Sequence, residues 1–334
     1  MTPIAPHITA FLQQRLTLER RASYHTCESY SYAFKLLFEY ASEHLKVKPS
    51  ALQLEQLDAP LILNFLNHLE TKRGNSPNSR NTRLAAIKSF MHFLEYRVPS
   101  ALEQIRRILA IQTKRTDTRL VRHLTIEELQ SILHAPVPTG RDGIRDRAML
   151  HLCFAAALRV SELIGLRLSD VTLQPQPSLL IHGKGRRERC LPLWRETTVA
   201  LRAWLALRGT APVPELFLNA RGQAMTRSGF EYILQKHVDV AIKNCPPLST
   251  KRVSPHVLRH TSALTCLQAT KDLRKVSLWL GHAHLQTTEI YTRVDPSVKL
   301  EVLESLVAPK LRSGRFKATD KLIAALKPQN FMRT

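Results

Sequence analysis

No stretch of the 334-residue chain approaches the ~20 consecutive apolar residues that span a bilayer, and no signal-peptide pattern opens it. A membrane-spanning or secreted protein is therefore not expected. Cysteine is scarce: five residues, at 27, 153, 190, 245 and 266. The number is odd and no C-x-x-C pair exists, which argues against a disulfide framework and a zinc knuckle. The pattern reads as reduced thiols in a cytosolic protein. Negative charge is also short. The 27 acidic residues face 49 Lys and Arg, a net charge of +22 spread along the chain and not confined to a tail. A folded protein this basic is matched to a polyanion, nucleic acid first and a membrane surface second. No internal repeat and no acidic metal-binding cluster is visible.

What is present is enough apolar material, 44%, for globular packing, in a chain long enough for two domains. Residues 1–111 read as helical. In "TCESYSYAFKLLFEYASEHL" apolar positions recur at helical spacing. In "DAPLILNFLNHLETKRG" Asp58 is placed to cap a helix, with Pro60 in its first turn and Gly74 at its end. "SPNSRNTRLAAIKSFMHFLEYRV" sets Arg80, Arg83 and Lys88 beside a Leu84–Ile87–Met91–Leu94 face. Such a basic side suits a phosphate backbone or, more plainly, solvent. Residues 112–124 are polar and basic and read as a linker. Thr125 and Glu128 then form the pattern of a capping box that opens a second domain. That domain mixes helices with a β-hairpin over "SLLIHGKGRRERCLPL". The predicted architecture is mainly α with a small β-sheet: helical residues 1–111, an α+β domain over 125–305, and a tail, 306–334, holding the short amphipathic "TDKLIAALK".

Several pieces of the second domain carry chemistry. "SPHVLRH" offers Ser254 as N-cap, Pro255 at the first helical position, and His256 and Arg259 within the first turns. The helix start favours an anion, and Arg adds a fork that fits two phosphate oxygens. A zinc site is disfavoured: the helical zinc motif needs Glu after the first His, where Val257 stands, and Arg259 would repel a cation. In "ALRVSELIGL" Arg159 and Glu162 lie one turn apart, as a held guanidinium or an ordinary ion pair. In "HGKGRRER" Lys184 stands between two glycines, reaching for a ligand or simply occupying a turn. "WLGHAHLQTTEIYTRV" supplies His282 and Tyr291, the latter a packing residue or, in a strongly positive setting, a nucleophile.

The order "LRVSEL", "GKGRRERCLPL", "HVLRHTSA", "LGHAHLQTTEIYTR" resembles the tyrosine recombinases, the phage-integrase and Xer-type enzymes, across roughly 120–305, with mobile-element integrases of the recombinase-trio kind as a finer resemblance. The resemblance implies a two-domain DNA clamp whose helical core-binding part is 1–111, and a site-specific recombinase that cuts and rejoins DNA through a 3′-phosphotyrosyl intermediate. It implies Tyr291 as nucleophile, Arg159 and Arg259 on the scissile phosphate's non-bridging oxygens, Lys184 as acid for the 5′-oxygen, His256 as acceptor of the tyrosine proton, His282 on the phosphate and Glu162 behind Arg159. His260 and His284 match no catalytic position and are expected to be structural. No metal and no cofactor is implied. The partners implied are double-stranded DNA, three further copies in a tetramer on two DNA sites (monomer or dimer when free) and other recombinases of the same element; the place is the bacterial cytoplasm at the nucleoid. Arg80, Arg83, Lys88 and Arg227 are candidates for DNA contact. A type IB topoisomerase-like enzyme and a catalytically silent DNA-binding partner are the competing readings. One departure stands out: the family usually has Gly where this chain has Ala157, and a left-handed backbone there would cost ~1 kcal/mol.

Overall fold

The structure, a computed structural model, describes residues 1–117, 120–183, 187–209, 212–282 and 284–292. The chain divides into two compact units, Met1–Thr118 and Arg119–Thr334.

The first unit is helical. α1 (Ile4–Ala10) continues into a wider π-helical stretch, Phe11–Glu19, and is followed by α2 (Tyr24–Leu45), α3 (Ala59–Thr71), α4 (Pro77–Leu94) and α5 (Leu102–Leu109). The starts follow local capping chemistry. Asp58 Oδ1 accepts from the Leu61 amide at 2.8 Å with Pro60 in the first turn, and Ser76 accepts from the Ser79 amide ahead of Pro77. Leu84, Ile87, Met91 and Leu94 are all buried, so the apolar face read from spacing is the packed face of α4. Phe90 is its centre, with Phe11 and Phe34 edge-on at 5.3 and 5.4 Å between ring centroids.

The second unit opens at α6 (Ile126–His134), whose capping box forms as the sequence suggests: Thr125 Oγ1 accepts from the Glu128 amide and the Glu128 carboxylate accepts from the Thr125 amide. α7 (Arg141–Ala155) runs through the core, and α8 (Val160–Ile164) follows after a reversal. Three antiparallel strands come next, β1 (Val171–Thr172), β2 (Ser178–His182) and β3 (Glu188–Pro192), in the order β1-β2-β3. The β2–β3 hairpin is the expected one, with Leu180 opposite Cys190 and His182 opposite Glu188; β1 is an addition to it. α9 (Arg195–Arg208), α10 (Arg227–Ile242), α11 (Pro255–Thr270) and α12 (Leu273–Leu280) follow, and a short 3₁₀ turn, Glu289–Tyr291, comes near the end of the described residues. Trp204, Phe217 and Phe230 fill its main core. A second, smaller apolar cluster joins Ala157, Ala263, Leu264, Leu267, Val276, Leu280 and Tyr291, and forms the floor of the site described next. The tail segment 306–334, including "TDKLIAALK", and the catalytic-domain residues from 293 onward lie outside the described residues.

Candidate active site

The site is built around one carboxylate. α7 stops at Ala155, and Ala157 takes a left-handed backbone at φ 47°, the strained conformation its replacement of glycine had raised. The chain then turns into α8, with Arg159 as N-cap. The Arg159 amide donates to Glu162 Oε2 at 3.0 Å and Arg159 Nη1 donates to Glu162 Oε1 at 2.6 Å. Arg189, on β3, donates to both carboxylate oxygens at 3.3 and 2.9 Å. Arg259, on the second turn of α11, brings Nη1 within 3.7 Å of Glu162 Oε2. Three guanidinium groups and one carboxylate thus meet, leaving two net positive charges.

Burial gives this cluster its character. The Glu162 side chain is 3% exposed, yet burial, which would raise its carboxyl pKa, is overcome by hydrogen bonds and charge from Arg189 and then Arg159, so the group stays below the usual carboxylate range. Arg259 is likewise buried, donating to the Ala157 and Leu280 carbonyls, the latter at 2.7 Å. Desolvation first, then the Arg159 charge, lowers its pKa to about 10, which leaves it charged at neutral pH. Arg159 is the open member of the set, with 29% of its side chain exposed. A phosphate arriving here meets a guanidinium at the surface and a second one fixed behind it.

Around this cage stand the histidines and the tyrosine. Ser254 caps α11 by accepting from the Val257 amide, with Pro255 first in the helix, as its spacing predicts. His256 is exposed on the first turn. Partial desolvation on the side of its ring that faces the protein, then the charges of Arg227, Arg259 and Arg159, lower its pKa. His282 follows Gly281, which sits at φ 62° with the Arg189 side chain 3.0 Å from where a Cβ would be. Its Nδ1 meets Thr288 Oγ1 at 2.8 Å, and burial followed by the charges of Arg259, Arg159 and Arg189 lowers its pKa to about 4. Tyr291 is 1% exposed. Burial raises its phenol pKa, while the charges of Arg259 and Arg159 act in the opposite sense. Its hydroxyl lies 3.0 Å from His260 Nδ1.

Arg159, Glu162, His256, Arg259, His282 and Tyr291 are therefore brought into one electrostatic neighbourhood. Lys184 lies outside the described residues; the preceding Gly183 is at the cluster's edge, its Cβ position 3.7 Å from Glu162 Oε1. Two residues were not anticipated. Arg189 completes the cage from 27 residues away, and His260, expected to be structural, is the side chain touching the tyrosine hydroxyl. Among the described residues no group of three or more His, Cys, Asp or Glu is placed to hold a metal ion, and no described helix is long and apolar enough to cross a membrane.

The candidates for DNA contact separate. Arg227, exposed at the start of α10, pairs with Glu231 at 3.0 Å and is close enough to His256 for its charge to be felt there. Lys88 is half-buried on α4. Arg83, half-buried too, donates to the Ser29 carbonyl and stacks its guanidinium 4.9 Å from the Tyr32 ring centroid. Arg80 is a correction. It is 4% exposed, donates to the Gln112 carbonyl at 3.3 Å and lies 3.7 Å from the Glu70 carboxylate, so it braces the helical unit and is not presented to a ligand.

The model of the phage integrase family matches residues 122–297, and that of the phage integrase N-terminal SAM-like domain matches residues 8–97. The chain belongs to the phage integrase family, the tyrosine recombinases. Among its relatives is the putative integrase/recombinase y4rC of Sinorhizobium fredii, 40% identical over 323 residues, 97% of each chain. The tyrosine recombinase XerC of Pelobacter propionicus is 34% identical over 316 residues, 94% of this chain and 98% of that one. Of solved structures, the XerH site-specific recombinase bound to difH substrate in a pre-cleavage complex matches with a TM-score of 0.63 at 26% identity, covering 88% of this chain and 83% of the other. This tyrosine recombinase thus has both the family's chain-length match and its mainly helical fold with a small sheet.

Proposed function

We propose that this tyrosine recombinase cuts and rejoins double-stranded DNA at specific sites through a 3′-phosphotyrosyl intermediate on Tyr291, without metal or ATP. The observation that carries the reading is a phenol that feels the charge of two guanidinium groups, Arg259 buried and Arg159 open, which share one carboxylate.

A phosphodiester repels nucleophiles and has a poor alkoxide leaving group. As the in-line attack proceeds, negative charge grows on the equatorial oxygens. Arg159 and Arg259, already oriented by Glu162 and by the Ala157 and Leu280 carbonyls, stabilise that state more than the ground state. Arg189 keeps Glu162 ionised and in place, so it positions the pair without touching substrate. His282, held by Thr288, supplies a neutral hydrogen bond to the phosphate. Lys184, between β2 and β3 in the sequence, protonates the departing 5′-oxygen. Because cationic side chains neutralise the growing charge, a divalent ion has no role to fill. The ester on Tyr291 conserves the phosphodiester energy, and a 5′-hydroxyl of a partner strand reverses the step. Four copies on two DNA sites, with Arg83, Lys88 and Arg227 among the phosphate or groove contacts, would give the exchange its geometry; other recombinases of the same element are candidate partners.

The test uses nicked suicide half-sites built from a DNA sequence that the protein selects from a randomised pool. A covalent protein–DNA band that is lost in Tyr291→Phe, together with strand joining between two duplexes, is the expected outcome. Specific binding with no covalent band would leave a silent DNA-binding protein, and relaxation of any supercoiled plasmid without joining would leave a topoisomerase.

A further inference from the structure

We propose that His260, and not His256, is the general base that takes the proton from Tyr291. The proposal rests on the reading of Tyr291 as nucleophile. His260 Nδ1 lies 3.0 Å from the phenolic oxygen, with ring centroids 5.7 Å apart. No other side chain among the described residues hydrogen-bonds that oxygen. His256 is one ring further out: its centroid is 6.4 Å from that of His260, it is exposed, and its own α11 turn faces Arg227 and Arg159. The proton that the family resemblance gives to His256 has a nearer acceptor in this chain, and His256 is free to serve the phosphate.

The charges facing His260 come from three elements: His256 and Arg259 on its own helix, His282 behind α12, and Tyr291 itself. Burial first, then His256 and Arg259, hold its pKa down to about 4. At physiological pH its ring is therefore neutral, and the tautomer with the proton on Nε2 leaves an acceptor lone pair at Nδ1. A phosphate seated on the arginines opposes the depression, so the imidazole becomes a better base when DNA is in place. The Tyr291 oxygen–phosphorus bond forms, the phosphorus–5′-oxygen bond breaks, the phenolic proton passes to His260 Nδ1, and the 5′-oxygen takes a proton from Lys184.

The experiment measures single-turnover formation of the covalent band on the suicide half-site from about pH 5 to about pH 9, for wild type, Tyr291→Phe, His256→Asn and His260→Asn. Asn retains a hydrogen-bonding atom near the Nδ1 position but takes no proton. His260→Asn is expected to bind DNA as wild type does, to react about 10²–10⁴-fold more slowly at neutral pH, and to accelerate about tenfold per pH unit as hydroxide replaces the lost base. Incorporating the more acidic 3-fluorotyrosine at 291 in that variant should restore part of the rate. His256→Asn should be slower with the wild-type pH profile. A His260→Asn rate within about threefold of wild type with an unchanged profile, or a rising profile in His256→Asn alone, overturns the proposal. Both outcomes are read against a wild-type band that disappears in Tyr291→Phe; absence of that band would instead remove the recombinase reading beneath it. If His260→Asn does not fold, imidazole ¹⁵N shifts decide: Tyr291→Phe should move the His260 Nδ1 resonance and leave His256 in place, and the reverse sinks the proposal.

Discussion

Both units of this recombinase bury arginine, to different ends. In the helical unit Arg80 and Lys114 share the Glu70 carboxylate, and Arg80 also holds the chain past α5 through the Gln112 carbonyl. Arg80 is closed off from any ligand. In the second unit Glu162 is shared by Arg159, Arg189 and Arg259, and one of the three, Arg159, keeps an open face. Burial of an arginine therefore does not mark a site. The clusters differ in surplus: one cation beyond the carboxylate at Glu70, two at Glu162, all three of the latter guanidinium groups, and that larger surplus is what a substrate phosphate can neutralise.

The contrast can be broken by mutation. The largest effect should come from Arg259→Ala, which should slow formation of the covalent DNA band by about 10²–10³-fold, measured at saturating DNA. Arg80→Ala should do the reverse: lower unfolding free energy by about 1–3 kcal/mol in denaturant titration and leave the rate per folded molecule unchanged. An equal loss of rate in the two variants would erase the distinction. Gly281→Ala should sit between them. The new methyl meets the Arg189 side chain at 3.0 Å on a left-handed backbone, so a cost of about 1–2 kcal/mol and a slower covalent step are both expected.

The smallest effects concern the titrating rings. The folded pKa of His260 and of His282 is about 4 against an ordinary 6.5, so the unfolded chain binds protons first. Stability is fully present above pH 6.5 and is lost as pH falls from there toward about 4. Melting temperature recorded against pH should fall less steeply across that window in His282→Asn than in wild type; identical slopes would contradict the depressed value.

What the sequence made legible was local. Asp58 with Pro60, Thr125 with Glu128, and Ser254 with Pro255 are rules of three or four residues, and each formed as spacing suggests. The α4 face followed from periodicity, yet Arg80 was misplaced although the spacing 80, 84, 87, 91, 94 puts it on that same stripe. Its partner Glu70 belongs to α3, and nothing within α4 announces it. The misses share that cause. Arg189 meets Glu162 across 27 residues and His260 meets Tyr291 across 31, distances that only the packed helices close. Ala157 lay between the two: its strain was anticipated, but its use, offering a carbonyl to Arg259, belongs to tertiary structure.

Trapping the reaction on a suicide half-site, digesting the protein and locating the nucleotide-bearing peptide by mass spectrometry identifies the attacking residue. A 3′-phosphate ester on Tyr291 alone is expected. An ester on any other tyrosine or on a serine would contradict it.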